Sequence, residues 1–441
     1  MITLTSGNIR SQLIRLAAPM ILGNILQQFY NTIDALVVGR YAGSAAFAAT
    51  GVSGTVMNLF VFVINGFCTG ISIILAQFYG CGNRKLFRKG VFNSLMSGCI
   101  FTVVISVLGI LLLTPVLRMI RTPREVTEPA YTYLFIIFCG LATTFLYNFC
   151  SAVLRAAGDT VAALLFLAVA VCLNLVLDLI LVAGLGVGIA GAAWATLLSQ
   201  AASVLLCLIY MKYKTSGLLP RKKDMTVDSS LLQRIWSYCS VTALHMSSVY
   251  IGKLLVQGAV NTLGTDGIAA YTAASRIEGF ANSFGDSGSA SISVFIAQNI
   301  GKGNHQRVKQ GFTMGILLLI SFGLFCSGVM YLTAPDFMGF MLGTLDGAAF
   351  VQAVQYLKTI ACFYVLCFAG NGLAGYFEGT GRVTIPMAGA AMHLTLRVIL
   401  SWMFVGTAGL YAVSIATGIG WLLLVLLWWS IYMITVKKNG D

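Results

Sequence analysis

The feature that most constrains this chain is a series of apolar stretches, each long enough to cross a lipid bilayer. A span needs about 20 mostly apolar residues in a helix, and the 441-residue sequence contains twelve such stretches. They cover residues 13–38, 46–79, 90–114, 128–153, 161–183, 188–211, 232–258, 267–299, 310–333, 349–377, 383–405 and 409–435. Only 9% of the residues are charged, which excludes an ordinary cytosolic enzyme, since a soluble protein is about one-quarter charged.

Lipid restricts the secondary structure to two types. Backbone polar groups in a bilayer must be satisfied internally, so only helices or closed barrels can span it. Apolar runs such as 111–113 and 422–428 lack the in-and-out alternation of barrel strands. The sequence therefore predicts an all-α polytopic membrane protein with twelve transmembrane helices.

The positions of the basic residues predict the orientation. The net charge is +13, and most of the 27 Lys and Arg residues lie in segments on the same side as the two termini. The opposite side holds only four: Arg40, Arg118, Arg121 and Arg124. Cytoplasmic loops are enriched in Lys and Arg, so we predict cytoplasmic N and C termini in a multi-pass protein of the cell membrane. Because these charges follow the topology pattern, we predict no nucleic-acid partner.

The two halves of the sequence repeat each other. Residues 76–83 match residues 297–304 at an offset of 221, and Gly158 aligns with Gly381 at an offset of 223. Units with an even number of helices keep the same orientation, so the copies are expected to be related by an axis along the membrane normal. The predicted organisation is an N-terminal six-helix lobe, a cytoplasmic linker and a C-terminal six-helix lobe: 1–211, 212–230 and 231–441.

No motif in the sequence points to catalysis or to a cofactor. A Gly-rich phosphate loop with a lysine is absent, and so are the HExxH and GxSxG signatures. We therefore predict that the protein is not an enzyme, that ATP does not drive it, and that it holds no cofactor or metal beyond a coupling H⁺ or Na⁺.

Charged residues inside the predicted spans are the best candidates for function, because charges in lipid are costly. The first half contains Asp34 and Asp178, without an embedded Lys or Arg. The second half contains both signs. These residues are Glu278, Asp286, Lys253, Arg276, Lys358 and Arg397. Whether the second-half charges bind a substrate or pair with each other stays open at this level.

Four side chains of the first half are predicted to converge near its outer end. Asp34 lies about one turn from the outer end of the first span, and Asp178 lies similarly in the fifth. Asn174 is four residues before Asp178 and so shares its helix face, while Thr196 lies at comparable depth in the sixth span. Such oxygen groups can take up protons or hold a cation such as Na⁺. The alternative is that both aspartates only make structural hydrogen bonds.

The first span carries further candidates. Pro19 lies in its inner part, where a proline removes a hydrogen bond and favours a static kink or a hinge. Gln27, Tyr30 and Asn31 are possible cavity or substrate contacts near Asp34, and Glu278 is the corresponding candidate in the second half.

Several local motifs, taken together and in order, resemble the MATE (multidrug and toxic compound extrusion) family over nearly the whole chain. These motifs are Pro19 with residues 31–34 (NTID) and Gly39, then 76–80 (AQFYG), 154–160 (LRAAGDT), 174–178 (NLVLD) and 188–193 (GIAGAA).

The resemblance implies a V-shaped pair of bundles with a central cavity. Because one chain contains both lobes, we predict that it functions as a monomer. It also implies export of small organic, often cationic, compounds in exchange for H⁺ or Na⁺. Asp34, Asn174, Asp178 and Thr196 match the cation site in the first lobe of such proteins, and bending at Pro19 is similar to the proposed switch of the family. The seventh span departs from the pattern, because 240–258 contains no Asp or Glu.

Two alternatives stay open. A flippase for lipid-linked oligosaccharides, from the same superfamily, would use Lys253, Arg276 and Arg397 to bind a diphosphate. An intramembrane aspartyl protease would use Asp34 and Asp178 as a dyad, although Asp178 lacks the GxGD context of such enzymes.

Overall fold

In the computed structural model, which describes residues 4–42, 44–119, 122 and 124–438, the described backbone is almost entirely helical and contains no strand. The first seven helices are α1 (Ile9–Tyr41), α2 (Ser44–Gly80), α3 (Arg84–Met119), α4 (Arg124–Cys139), α5 (Leu141–Ala156), α6 (Thr160–Asp178) and α7 (Ile189–Lys214). The remaining six are α8 (Ser229–Val260), α9 (Gly264–Gly301), α10 (His305–Leu332), α11 (Ala334–Leu342), α12 (Ala348–Gly379) and α13 (Thr384–Lys438).

The helices confirm a multi-pass membrane protein, but they do not confirm the predicted number of twelve crossings. Eight stretches of the described chain are long and apolar enough to cross a membrane, or nine when the bent pair α4–α5 counts as one span. Two of these stretches, 229–301 and 384–435, have 73 and 52 residues. Because a crossing takes about 20 residues, each of them is longer than a single crossing requires.

Two helix breaks occur at a glycine. Between α4 and α5 the chain bends by 51° at Gly140, where a Cβ atom would lie 2.3 Å from the Leu197 side chain. Inside α13, Gly409 adopts φ 57° and ψ −142°, a conformation that side chains with a Cβ rarely adopt. The predicted span 128–153 corresponds to the bent pair α4–α5.

α6 begins and ends at features that matter for the site below. Asp159 caps its first turn, since the carboxylate accepts a hydrogen bond of 3.3 Å from the Ala162 amide. At the other end, α6 passes directly after Asp178 into a π-helix, Leu179–Gly184. Turns of this kind are rare and occur frequently at functional sites.

The chain forms two compact units. The first unit contains Ala18–Ala243, and the second contains Leu4–Ala17 together with the residues from Leu244 onward. The division therefore lies within α1, just before Pro19, and within α8, whereas the lobes predicted from the sequence divide at the linker 212–230.

The linker is docked on α3 of the first unit by two ion pairs. Arg88 donates to Asp224 over 2.5 Å, and the Lys89 ammonium lies 2.7 Å from Asp228. These cations hold the pKa of both carboxyls below the ordinary range. Asp228 also caps α8, because it accepts from the backbone amide of Leu231 over 3.2 Å. The segment before α8 is thus fixed to the first unit.

Candidate cation site in the first unit

Three helices of the first unit bring the predicted residues together. α1 carries Tyr30 and Asp34, α6 carries Asn174 and Asp178, and α7 carries Thr196. Each pair on one helix is separated by four residues, so its members share a face one turn apart. All five side chains belong to one network of contacts.

The carboxyl groups of Asp34 and Asp178 interact by a side-chain hydrogen bond. An ionised carboxylate can only accept hydrogen bonds, so this contact requires a proton on one of the two groups. Like charges at this separation in a poorly solvated site do not both ionise readily. The arrangement is therefore that of two carboxyls sharing one proton.

Asn174 fixes the Asp178 carboxyl from the previous turn of α6. In the amide orientation that satisfies both ends, its nitrogen donates to Asp178 Oδ2 over 2.8 Å and its oxygen accepts from the Thr196 backbone amide over 3.1 Å. The opposite orientation offers only a 3.4 Å bond to Thr196 Oγ1 and makes the amide oxygen face other acceptors. The first orientation is favoured, because it pairs donors with acceptors.

Thr196 and Tyr30 connect α7 to α1. The two hydroxyl oxygens lie 3.2 Å apart, and Thr196 donates to the carbonyl of Ala192 over 3.1 Å. With the Thr196 hydrogen directed at that carbonyl, the Tyr30 hydroxyl is the donor between the two. This contact holds α1 against α7 one turn from Asp34.

The cluster is buried and keeps unused acceptor capacity. Asp178 and Asn174 are only 1% and 2% exposed. Within the part of the chain that the structure describes, the Oδ1 atoms of Asp34 and Asp178 have no hydrogen-bond partner. Unpaired buried oxygens of this kind are costly unless a proton or a cation occupies the site. Together with the amide and hydroxyl oxygens, they provide the hard ligands that H⁺ or Na⁺ requires.

One residue near the cluster was missed by the sequence reasoning. Tyr133 of α4 is 5% exposed and donates to Met57 Sδ over 3.8 Å, and the charges of Asp34 and Asp178 act on its hydroxyl. The aromatic content of α4 gives no periodic signal that distinguishes this tyrosine from its neighbours. The π-helix after Asp178 was missed for a similar reason, because hydropathy does not report helix type.

The other predicted residues of the first span have different positions. Gln27 is half-buried on α1, two turns before Asp34. Pro19 is buried inside α1, which continues as a helix from Ile9 to Tyr41. The Asn31 side chain lies outside the described residues.

Glu278 belongs to a separate cluster in the second unit. Tyr364 donates to its backbone carbonyl over 3.3 Å, and the charges of Arg397 and Lys253 act on its carboxyl. Arg397 itself donates to Tyr271 over 3.4 Å and is 8% exposed. No ion pair within 4.0 Å joins these charges among the described residues.

Comparison with known proteins gives a family match in both units. The MatE family model matches residues 19–180 and again residues 242–403, two segments of equal length displaced by 223 residues. This double match is an independent indication of the internal duplication.

Individual relatives and solved structures agree with the family model. A probable multidrug resistance protein of Bacillus subtilis, YpnP, is 29% identical over 86% of this chain and 84% of its own length. A MATE structure in the bent conformation superposes with a TM-score of 0.91 at 24% identity, covering 99% of this chain and 98% of that chain. A MOP superfamily transporter from Pyrococcus furiosus gives a TM-score of 0.91 at 22% identity, with the same coverage.

Proposed function

The chain belongs to the MatE family, and on that premise we propose that it is a secondary active antiporter that exports organic, often cationic, compounds in exchange for H⁺. The observation that carries the proposal is the hydrogen bond between the carboxyl groups of Asp34 and Asp178, which needs a shared proton. Entry of a second proton, or loss of the first, changes the charge of a buried cluster and hence the stability of the helix arrangement around it. Na⁺ is the alternative coupling ion, because the same oxygens are suitable ligands.

The proposal gives each residue of the cluster a role. Asp34 and Asp178 bind the coupling ion, Asn174 and Thr196 complete its coordination, and Tyr30 ties α1 to the site. Pro19 is the proposed hinge of α1. A proline has no amide hydrogen and weakens a helix at its own position. Pro19 lies inside α1, close to the division between Ala17 and Ala18.

The finer membrane arrangement is part of the same proposal. We propose twelve crossings with cytoplasmic termini, in which the stretches 229–301 and 384–435 each cross twice and α4–α5 cross once as a bent pair. One chain contains both units and is proposed to act as a monomer in the cell membrane. The V-shaped cavity that the resemblance implies stays a prediction.

Different observations weigh against the two alternative functions. The protease alternative is disfavoured, because the matched family is one of transporters. The flippase alternative depends on second-unit cations being free to bind a diphosphate. Arg397 is buried and donates to Tyr271, an arrangement that favours a structural pairing of this cation.

The test is efflux of a fluorescent organic cation from liposomes that contain the purified protein. A proton gradient and a sodium gradient are imposed separately. We expect the proton gradient to drive efflux, and Asp34→Asn and Asp178→Asn to reduce it to the level of empty liposomes while the protein stays folded. Asp346→Asn, which changes an exposed loop carboxylate, is the matched control and should transport normally.

Three outcomes contradict parts of the proposal. Full activity of Asp34→Asn would refute the site. Efflux driven only by the sodium gradient would show that Na⁺, and not H⁺, is the coupling ion. No efflux under either gradient would favour the flippase, and Lys253, Arg276 and Arg397 would then be the residues to change.

A further inference from the structure

The linker between α7 and α8 lies between the ends of helices that are apolar enough to cross a membrane. It leaves α7 after Lys214 and enters α8 at Ser229, and both helices belong to such stretches. α3, on which the linker is docked, begins another of these stretches at Arg84. Because crossing helices end at the bilayer interface, these three helix ends hold the linker beside the lipid headgroups.

The docking gives the linker a defined inner and outer side. Besides the two ion pairs with α3 described above, Asn93 donates to the carbonyl of Thr226 over 3.0 Å and accepts from the backbone amide of Asp228 over 3.0 Å. Leu218 and Asp224 are the side chains of this segment turned inward, with exposures of 4% and 1%. Asp224 is the one acidic residue of 212–227, so its pairing with α3 removes the negative charge from the outer side.

The outer side of the linker is strongly basic. Within the part of the chain that the structure describes, the ion pairs shorter than 4.0 Å include none of its basic residues. Clusters of four to eight Lys or Arg next to the cytoplasmic end of a membrane helix are typical of binding to anionic lipids. The five exposed cations of this segment are Lys212, Lys214, Arg221, Lys222 and Lys223.

Apolar and aromatic side chains are exposed among these cations. Tyr213 is 78% exposed, Met225 47% and Val227 66%. The Lys212 ammonium lies 5.8 Å from the centre of the Tyr213 ring. Tyrosine is enriched at membrane interfaces, where its ring contacts the acyl boundary and its hydroxyl contacts water and headgroups.

This combination points to a lipid as the ligand. Membrane topology alone accounts for cations in a cytoplasmic loop, but it does not require the linker to bury its acidic residue or to expose apolar side chains. A soluble anion gains nothing from Tyr213, Met225 and Val227. An anionic phospholipid offers both a phosphate for the cations and an apolar boundary for these three side chains.

We propose that the exposed side chains of residues 212–227, called here the linker surface, form a binding site for anionic phospholipid headgroups. With the cytoplasmic orientation proposed above, the linker surface faces the leaflet that carries the anionic lipids. The site is separate from the cluster around Asp34, and lipid binding there does not depend on export.

The test is photocrosslinking of the full-length protein in nanodiscs of phosphatidylcholine that contain a small amount of a phospholipid probe, with a photoreactive group next to its headgroup. Peptide mass spectrometry then locates the labelled residues. We expect a phosphatidylglycerol probe to label the segment 212–227 far more than a matched phosphatidylcholine probe. High salt should reduce this labelling, because it screens exposed charges.

A double substitution tests the cations, and a second one on the same predicted side of the membrane is its matched control. Lys222→Gln with Lys223→Gln should reduce labelling of 212–227 roughly 30-fold, since each cation near an anionic surface contributes about a fivefold gain in affinity. Lys302→Gln with Lys309→Gln removes the same charge from exposed positions of the second unit and should leave that labelling unchanged. Unchanged thermal unfolding of both variants would show that the fold is kept.

Three results would overturn the proposal. Equal labelling of 212–227 by the two probes would show that the segment does not select anionic lipid. An equal loss of labelling in both double variants would show a general effect of net charge instead of a site. Competition by inorganic phosphate as effective as that by unlabelled phosphatidylglycerol would show that the ligand is free phosphate. Since no substrate or ion gradient is present, a failure of the export function would leave these results unaffected.

Discussion

Gly66 and Gly70 on α2 give the sharpest prediction for the packing of the first unit. A Cβ atom at Gly66 would lie 2.5 Å from the Thr242 carbonyl oxygen and 2.6 Å from Ala243 Cα, and one at Gly70 would lie 2.8 Å from Cys239 Cα. These are contacts with backbone, which cannot move aside as a flexible side chain can. Small residues four apart allow membrane helices to approach this closely. Gly66→Ala should therefore force α2 and α8 apart.

The expected change in the free energy of unfolding for Gly66→Ala combines two opposing effects. Alanine stabilises a helix by about 0.5–1 kcal/mol relative to glycine. Overpacking a close contact costs about 1–3 kcal/mol. Gly54→Ala, in the same helix, meets no atom within 4 Å and should show only the first effect. The difference in the free energy of unfolding between Gly66→Ala and Gly54→Ala is then the overpacking cost alone, about 1–3 kcal/mol, because the helix-propensity effect cancels.

The assay uses cysteines that the helix contact buries. Cys68 lies between the two glycines on α2, and Cys239 lies opposite on α8, with exposures of 1% and 0%. A thiol-reactive dye should label these two cysteines only when this interface opens. Their labelling on heating, quantified by peptide mass spectrometry to separate it from that of the exposed cysteines, therefore reports the stability of the interface. We expect Gly66→Ala to be labelled at a lower temperature than the unmodified protein and Gly54→Ala at the same or a higher one. Equal shifts for both variants would refute the close-contact reasoning.

Two further predictions concern the segments docked before α8 and α1. The pKa of Asp228 is held low mainly by Lys89, so its contribution to folding is present above the unfolded pKa of about 3.9 and is lost as the pH falls through the lower folded pKa. Hydrogen exchange of residues 219–231 should thus stay slow at neutral pH and become fast only in strong acid, whereas Asp228→Asn should exchange fast throughout; equal protection in both would contradict this. Arg307→Gln removes the 2.6 Å bond to Gln12 Oε1 and the 3.1 Å bond to the Leu4 carbonyl, and should release residues 4–12 to limited proteolysis, with Lys309→Gln as the unaffected control.

The helix positions were largely predictable because burial in lipid leaves a strong mark on composition. The predicted span 188–211 corresponds to α7, and 349–377 corresponds to α12. Hydropathy does not predict helix ends that are polar or helices that are shorter than a span. The predicted span 90–114 missed both ends of α3, because those ends are polar enough to lie outside an apolar window. The nine-residue α11 is too short to register as a span.

The candidate site was predictable in part because the spacing within one helix is fixed. Asn174 and Asp178 share a face by geometry alone, and a comparison of depths was enough to place Asp34 near them. Pairing between distant helices has no such rule. His245 and Glu378 are far apart in the sequence, and Glu378 lies just outside the predicted span 349–377, so no periodicity joins them. Only the fold shows that they meet, with His245 Nδ1 3.7 Å from Glu378 Oε1.

The two units match the same family model but contain different ionisable groups. This difference determines the net charge of each group of residues when a proton binds or leaves. In the first unit, Asp34 and Asp178 carry a net charge of −1 when they share one proton and −2 when that proton leaves. In the second unit, His245 and Glu378, with Nδ1 3.7 Å from Oε1, are neutral together with one proton and carry a charge of −1 without it. A cationic substrate would stabilise the deprotonated form of either site by compensating its charge. An exchanger needs this relation between proton and substrate, because it makes each ligand favour release of the other.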